Sequence, residues 1–253
     1  MNIEDSSLLL KDLDRPIPRE VLEEASVSVP SIARADAARI EEHQQGGILV
    51  SHLPRPEALA FQRALAKSGH DTEVVADRDM PKLHDSRQVQ RIELRGESLV
   101  LTDGMGRERL RAVADLVFLA AGFHHKVEGR THVESHFDFS GGVTGEEAPK
   151  WVTTRDYREE EVSLFRVDFF FWSEPNRLHA PLAGETVVFF QNKALRLRDR
   201  DGIAEVIRSL GGLLPPQRLN SVLASRTAGA PFPSLASYEN EIRWRFHRLK
   251  TRA

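Results

Sequence analysis

Hydrophobic and polar positions follow one another in two rhythms along this chain, and the change between them marks its parts. "GILVSHL" (47 to 53) is a short apolar run that reads as a strand. "RPEALAFQRALAKSG" (55 to 69) then sets Leu59, Ala60, Ala64 and Leu65 on one helical face, opened by Pro56 and closed by Gly69. "TEVVAD" (72 to 77) is a second strand, so residues 46 to 82 read as a small βαβ unit. From residue 87 the period becomes two. Val89, Arg91 and Glu93 alternate with Gln90, Ile92 and Leu94, the chain turns at Gly96, and "SLVLTD" resumes the strand. "GMG" (104 to 106) is a turn, and "RERLRAV" with "ADLVFLAAG" continues the sheet. Strands return as "EVSLFRVDFFFWSE" (161 to 174) and "TVVFFQ" (186 to 191).

Helical spacing predicts the remainder. Ile203, Val206, Ile207 and Leu210 make the apolar face of a helix over 201 to 212, capped by Asp201 and stopped by Gly211. A connector, 213 to 235, holds a helical turn near 216 to 225, and Ser234 caps a last helix over 235 to 250. Residues 1 to 45 read as a polar arm with two short helices, one opened by Pro18 and one capped by Ser31. The expected organisation is therefore an α+β fold in four parts. These are the arm (1 to 45), the βαβ unit (46 to 82), an antiparallel sheet with its capping helix (83 to 212), and the connector with its helix (213 to 253). A polar insertion at about 124 to 160 interrupts the sheet.

Hairpins closed by one amphipathic helix, with the display–turn–basic pattern of "ESLVLTDGMGRERLRAVADLVFLAAG", resemble the pleckstrin-homology-like domains common in bacterial proteins of unknown role. The resemblance covers about residues 87 to 212. "PEALAFQRALAKSGHDTEVV" is similar to the small prokaryotic putative signal-transducing proteins. Neither resemblance brings catalytic residues with it. Both imply a binding or scaffold role, as an analogy of fold.

Composition narrows the classes of function. A chain of 253 residues with net charge −3 carries no global basic field for nucleic acid or an anionic membrane. Cysteine is absent, which removes thiolate catalysis, disulfides and Cys-based zinc sites and suits a reducing cytoplasm. Acids precede the leucine run of "MNIEDSSLLLKDLDRP", unlike a signal peptide, and no apolar run approaches the roughly 18 residues of a membrane span. The phosphate-cradling Gly-x-Gly-x-x-Gly and Gly-x-x-x-x-Gly-Lys patterns and the Gly-x-Ser-x-Gly elbow are all missing.

Three stretches carry candidate chemistry. In "GFHHKVEGRTHVESHFDF" (122 to 139), a strand would bring His132, Glu134 and His136 to one face and a helix would pair His132 with His136. Two imidazoles and a carboxylate suit zinc or iron. The alternative is a polar excursion between hairpins, in which His124 and His125 belong to the end of a strand. In "RVDFFFWSEPNRLH" (166 to 179), Asp168, Glu174, Arg177 and His179 are placed to meet near a strand end, a set fit for acid–base chemistry. The plainer reading is an aromatic core strand, Phe169 to Trp172, with a turn ion pair. In the tail, Arg243, Arg245, Arg248, Lys250 and Arg252 surround Trp244 and Phe246, an arrangement that can hold RNA or another anion. Against that stands a docking helix with its stripe at Leu235, Tyr238, Ile242 and Leu249. The sequence thus favours a non-enzymatic cytoplasmic binding or scaffold protein, with a protein or small-ligand partner or a second copy, and no cofactor. A metal-dependent enzyme using His132, Glu134 and His136 is the alternative, and an anion- or RNA-binding tail the second one.

Overall fold

The computed structural model describes residues 4–138, 150–173, 176–181, 187–190, 193–196 and 200–252. Helices and mostly antiparallel sheets combine in an α+β fold. The first sheet is built around β1 (Asp5–Leu10), which contains the three-leucine run. β2 (Ile48–Pro54) and β3 (Thr72–Ala76) flank β1 on either side, each antiparallel to it. The expected arm at 1 to 45 therefore supplies the central strand of the sheet. Its leucines are the reason: Leu8, Leu9 and Leu10 are all buried, which a solvated arm would not permit.

α1 (Arg19–Ser26), α2 (Asp36–His43) and α3 (Arg55–Lys67) accompany this sheet. α3 buries Ala58, Phe61 and Leu65, a stripe one position away from the Leu59 and Ala60 face that the spacing suggests. Phe61 settles the difference, because burying an aromatic ring removes more apolar area than burying an alanine and a leucine edge.

Strands from 87 onward divide between two sheets that share one core. β5 (Arg91–Arg95), β6 (Ser98–Thr102) and β7 (Glu108–Ala112) form a meander, with Gly96 at φ 59 in the first turn. β11 (Val187–Phe190) joins β5 in parallel and β12 (Lys193–Arg196) extends the sheet. The other sheet runs β4 (Arg87–Gln88), β10 (Arg177–Pro181), β9 (Lys150–Phe171) and β8 (Leu116–Asp138). Ile92, Leu99 and Leu101 from the meander meet Phe118, Phe169 and Leu178 in the core between them. α4 (Arg200–Leu210) buries Ile203, Val206, Ile207 and Leu210, and Asp201 lies inside its first turn rather than before it. α5 (Ser221–Ser225) and α6 (Leu235–Arg252) close the same core through Leu223, Tyr238 and Ile242. Ser234 caps α6 as the sequence suggests, its Oγ accepting from the Ser237 N–H at 3.1 Å.

Of the stretch expected as a polar insertion at 124 to 160, residues 124–138 and 150–160 are the outer part of β8 and β9, and 139–149 lie outside the described residues. These strands pair in antiparallel register from Leu116↔Phe171 out to Asp138↔Lys150. The hairpin leaves the core near His124 and continues as a two-stranded ribbon. The alternation of a strand is present in its sequence, with charged residues and histidines at every even position from Lys126 to Asp138 and Val127, Val133 and Phe137 among the odd ones, and the reading of a polar insertion passed over it.

Candidate functional site

Asp168 is the buried charge around which the fold closes. β9 carries it between Val167 and Phe169, and its side chain is 0% exposed. Arg166 is on the same strand face two residues earlier and grips it with both ends of its fork, Nε to Oδ2 at 2.6 Å and Nη2 to Oδ1 at 2.9 Å. Arg177 on the neighbouring β10 adds Nε to Oδ1 at 3.0 Å. The Tyr238 hydroxyl of α6 donates to Oδ2 at 3.1 Å. Four donors thus occupy the two carboxylate oxygens, so no lone pair is left to take a proton from a substrate.

The remaining arms of the arginines tie in further elements. Arg177 donates Nη2 to Glu239 Oε1 at 2.7 Å and Nη1 to the His84 carbonyl at 3.2 Å, while Arg166 reaches Ser86 Oγ at 3.0 Å. Burial opposes the charge on Arg166, but its bonds to Asp168 prevail and its pKa is raised. Burial and the neighbouring Asp168 push the Tyr238 hydroxyl well above its ordinary value. His179 stands directly opposite Asp168 in the β9–β10 register. Burial and then the Arg166 charge depress its pKa to about 4, and its Nδ1 is buried without a hydrogen-bond partner. His124 is also held low, chiefly by burial.

The sequence placed Asp168, Arg177 and His179 in one candidate set, and the structure brings these three together. Glu174 lies outside the described residues. Arg166, Tyr238 and Glu239 were missed. The Arg-x-Asp spacing on a strand was the signal available for the first, since residues two apart share a face. Nothing local pointed to the other two, which arrive from α6.

The histidine cluster resolves differently. His132, Glu134 and His136 occupy alternate backbone positions of β8, across from Asp156, Thr154 and Val152, and their side chains lie outside the described residues. Among the described residues no group of three or more His, Asp or Glu side chains is placed to hold a metal ion. The basic tail is α6, and its described arginines are engaged within the fold. Arg243 donates to the Pro81 carbonyl, Arg245 to Glu241, and Arg248 to Glu73 at 2.7 Å and to the Leu10 carbonyl at 2.8 Å. Trp244 is buried between the last two guanidiniums, and its Nε1 donates to the Leu10 carbonyl at 2.6 Å. Lys250 stays exposed, and the side chain of Arg252 is outside the described residues.

One open cleft of about 440 Å³ lies beside β2, where Asp36, Arg39, His43, Ser51, His52 and Asn240 contribute polar groups. His52 interrupts the β1–β2 register with φ 62, a conformation unusual for a residue with a Cβ. Its Nδ1 is 2.7 Å from Asp77 Oδ2, near enough to pair when the ring is charged but without hydrogen-bond alignment, and the ring is 80% exposed. Such an exposed pair contributes little, and the cleft shows no preorganised set of donors around it.

Two features of the ribbon distinguish it from these sites. Val127, Val133 and Tyr157 are 63%, 57% and 66% exposed. In the paired register they fall on one face, since Val127 faces Glu161, Thr131 faces Tyr157 and Val133 faces Arg155. The Tyr157 hydroxyl end lies over Gly129 across the ribbon, covering the position that lacks a side chain. Comparison with protein-family models, with curated proteins and with solved structures finds no significant match for this chain.

Proposed function

We propose that this chain is a non-enzymatic cytoplasmic binding or scaffold protein whose ribbon, the outer part of β8 and β9, docks a protein partner. One observation carries the reading. Among the described residues the ribbon runs from Lys126 to Asp138 paired only with β9, roughly 40 Å at about 3.3 Å per residue, with Val127, Val133 and Tyr157 exposed on one face. An isolated two-stranded hairpin is marginal in water, and a sheet edge is a ready template for another strand. The other candidate chemistry is internally engaged: Asp168 is saturated by its four donors, and the described arginines of α6 hold the fold together. The meander β5–β6–β7 and the helix α4 support kinship with pleckstrin-homology-like domains, whose common use is binding.

Excision tests the reading. Replacing residues 127 to 161 by Asn-Gly, a two-residue hairpin turn, joins Lys126 to Val162, which stand opposite each other in the β8–β9 register. The shortened chain keeps one cooperative melt within about 3 °C of the parent, because the ribbon adds little to the core. Loss of that melt would make the ribbon a part of the core and overturn the proposal.

A further inference from the structure

The partner that the ribbon's edge fits best is a second copy of the same strand, an inference that rests on the docking role just proposed. Its basis is the phase of the backbone hydrogen bonds. Along the outer edge of β8, Asn220 N–H donates to the Leu119 carbonyl at 3.1 Å and Phe232 N–H to the Phe123 carbonyl at 2.8 Å, while His125 N–H donates to the Phe232 carbonyl at 3.0 Å. Odd-numbered residues therefore point their N–H and C=O groups outward, and even-numbered residues point theirs at β9. The β8–β9 register continues without a shift from Phe118 to Asp138, so the phase holds to the end of the strand. Among the described residues, bridges cover this edge at Leu119 and His124 and at no position beyond.

A second β8 can add to that edge only if outward-pointing residues oppose one another, so odd meets odd and even meets even. The even positions are Lys126, Glu128, Arg130, His132, Glu134, His136 and Asp138. With a two-fold axis at His132, Lys126 opposes Asp138, Glu128 opposes His136 and Arg130 opposes Glu134. Moving the axis to Thr131 sets Glu128 against Glu134, and moving it to Val133 sets Glu128 against Asp138. An axis at Arg130 or at Glu134 places that residue against its own copy. Like charges directly opposite destabilise a pair and unlike charges support it, so the axis at His132 alone among these avoids every conflict. The odd positions agree with it: in that register Val127 stands opposite Phe137 and Thr131 opposite Val133, and Val127 and Val133 are exposed. We infer that two copies join through antiparallel β8–β8 pairing centred on His132, making one four-stranded sheet from two ribbons.

The absence of cysteine makes the register directly readable. His132 on the axis is a non-hydrogen-bonded pair, with Cα atoms about 4.5 Å apart, inside the range that a disulfide spans. His132→Cys is expected to form a covalent dimer under mild oxidation at least ten times faster than Glu128→Cys or His136→Cys alone, while the mixture of those two variants cross-links to each other. Light scattering is expected to show the parent mass doubling with concentration. Arg130→Glu weakens the dimer at least tenfold, and Glu134→Arg added to it restores association, because the exchanged charges still oppose each other across the axis. Equal cross-linking at all three positions, or no rescue by the double exchange, would refute this register. A parent that stays monomeric at millimolar concentration, with the excised chain still folded, refutes self-pairing and leaves a different protein as the ribbon's partner. An excised chain that fails to fold refutes the docking role itself.

Discussion

Asp168 accepts four hydrogen bonds while its side chain is closed off from water, and this fixes the consequence of removing it. Asp168→Ala leaves the Arg166 and Arg177 guanidiniums inside the protein with Glu239, among the described residues, as the one carboxylate still bonded to either. Breaking a buried pair in this way costs about 3–5 kcal/mol. For a chain of this size each kcal/mol lowers the melting temperature by about 2–4 °C, so a thermal melt should drop by roughly 10 °C; a fall of under 2 °C would remove Asp168 from this role. His179 adds a pH dependence. Its folded pKa of about 4 lies below the ordinary imidazole value of 6.5, so the unfolded chain binds more protons between those limits. Stability is then fully present above pH 6.5 and declines as the pH falls towards 4, by on the order of 2 kcal/mol after partial solvent screening. Denaturant midpoints measured from pH 7 to pH 4 check this, and His179→Gln should flatten the slope. The sequence grouped Asp168, Arg177 and His179 because they are near neighbours along the chain. It could not say that they would be sealed, which depends on Tyr238 and Glu239 seventy-odd positions away or nearly so.

At the scale of elements, α6 shows how far periodicity reaches. Of its expected stripe, Tyr238 and Ile242 are fully buried and Leu235 and Leu249 partly so, yet Trp244 and His247 on other faces are buried as well. The helix is held between the two halves of the chain, so a one-sided apolar stripe understates its contacts. The chain makes room for Trp244 at Gly47, just before β2. Gly47 has φ 75, and a Cβ there would stand 2.5 Å from the Trp244 ring. Gly47→Ala therefore combines a backbone penalty with a steric one and should cost about 2–4 kcal/mol. Trp244→Ala in the same chain removes the clash but not the backbone penalty, so the two changes should be clearly non-additive in denaturant unfolding. Additivity would show that Gly47 and Trp244 do not share that space. The ribbon is the opposite case. Its β8 half keeps a strand's alternation, with charged residues and histidines at even positions and Val127, Val133 and Phe137 at odd ones, yet spacing alone does not say which strand it pairs with.

The whole molecule joins a three-stranded sheet and a two-sheet core through one helix, with Trp244 and Arg248 bonded to the Leu10 carbonyl and Arg248 also to Glu73. By itself the sequence determined the α+β class, the strand–helix–strand order of 47 to 77, the meander after 87 and the helices near 201 and 235. Each of these follows from neighbours two, three or four residues apart, whose relation is set before the chain folds. Tertiary structure alone decided that "DSSLLL" would be a central strand, that 124–138 and 150–160 would pair as a ribbon, and that Arg166, Asp168, Arg177, Tyr238 and Glu239 would share one buried knot. Those outcomes depend on which distant segment covers a given face. Local spacing can propose such a face but cannot supply its cover, and burial, which sets the worth of a charge or an apolar stripe, is a property of the cover.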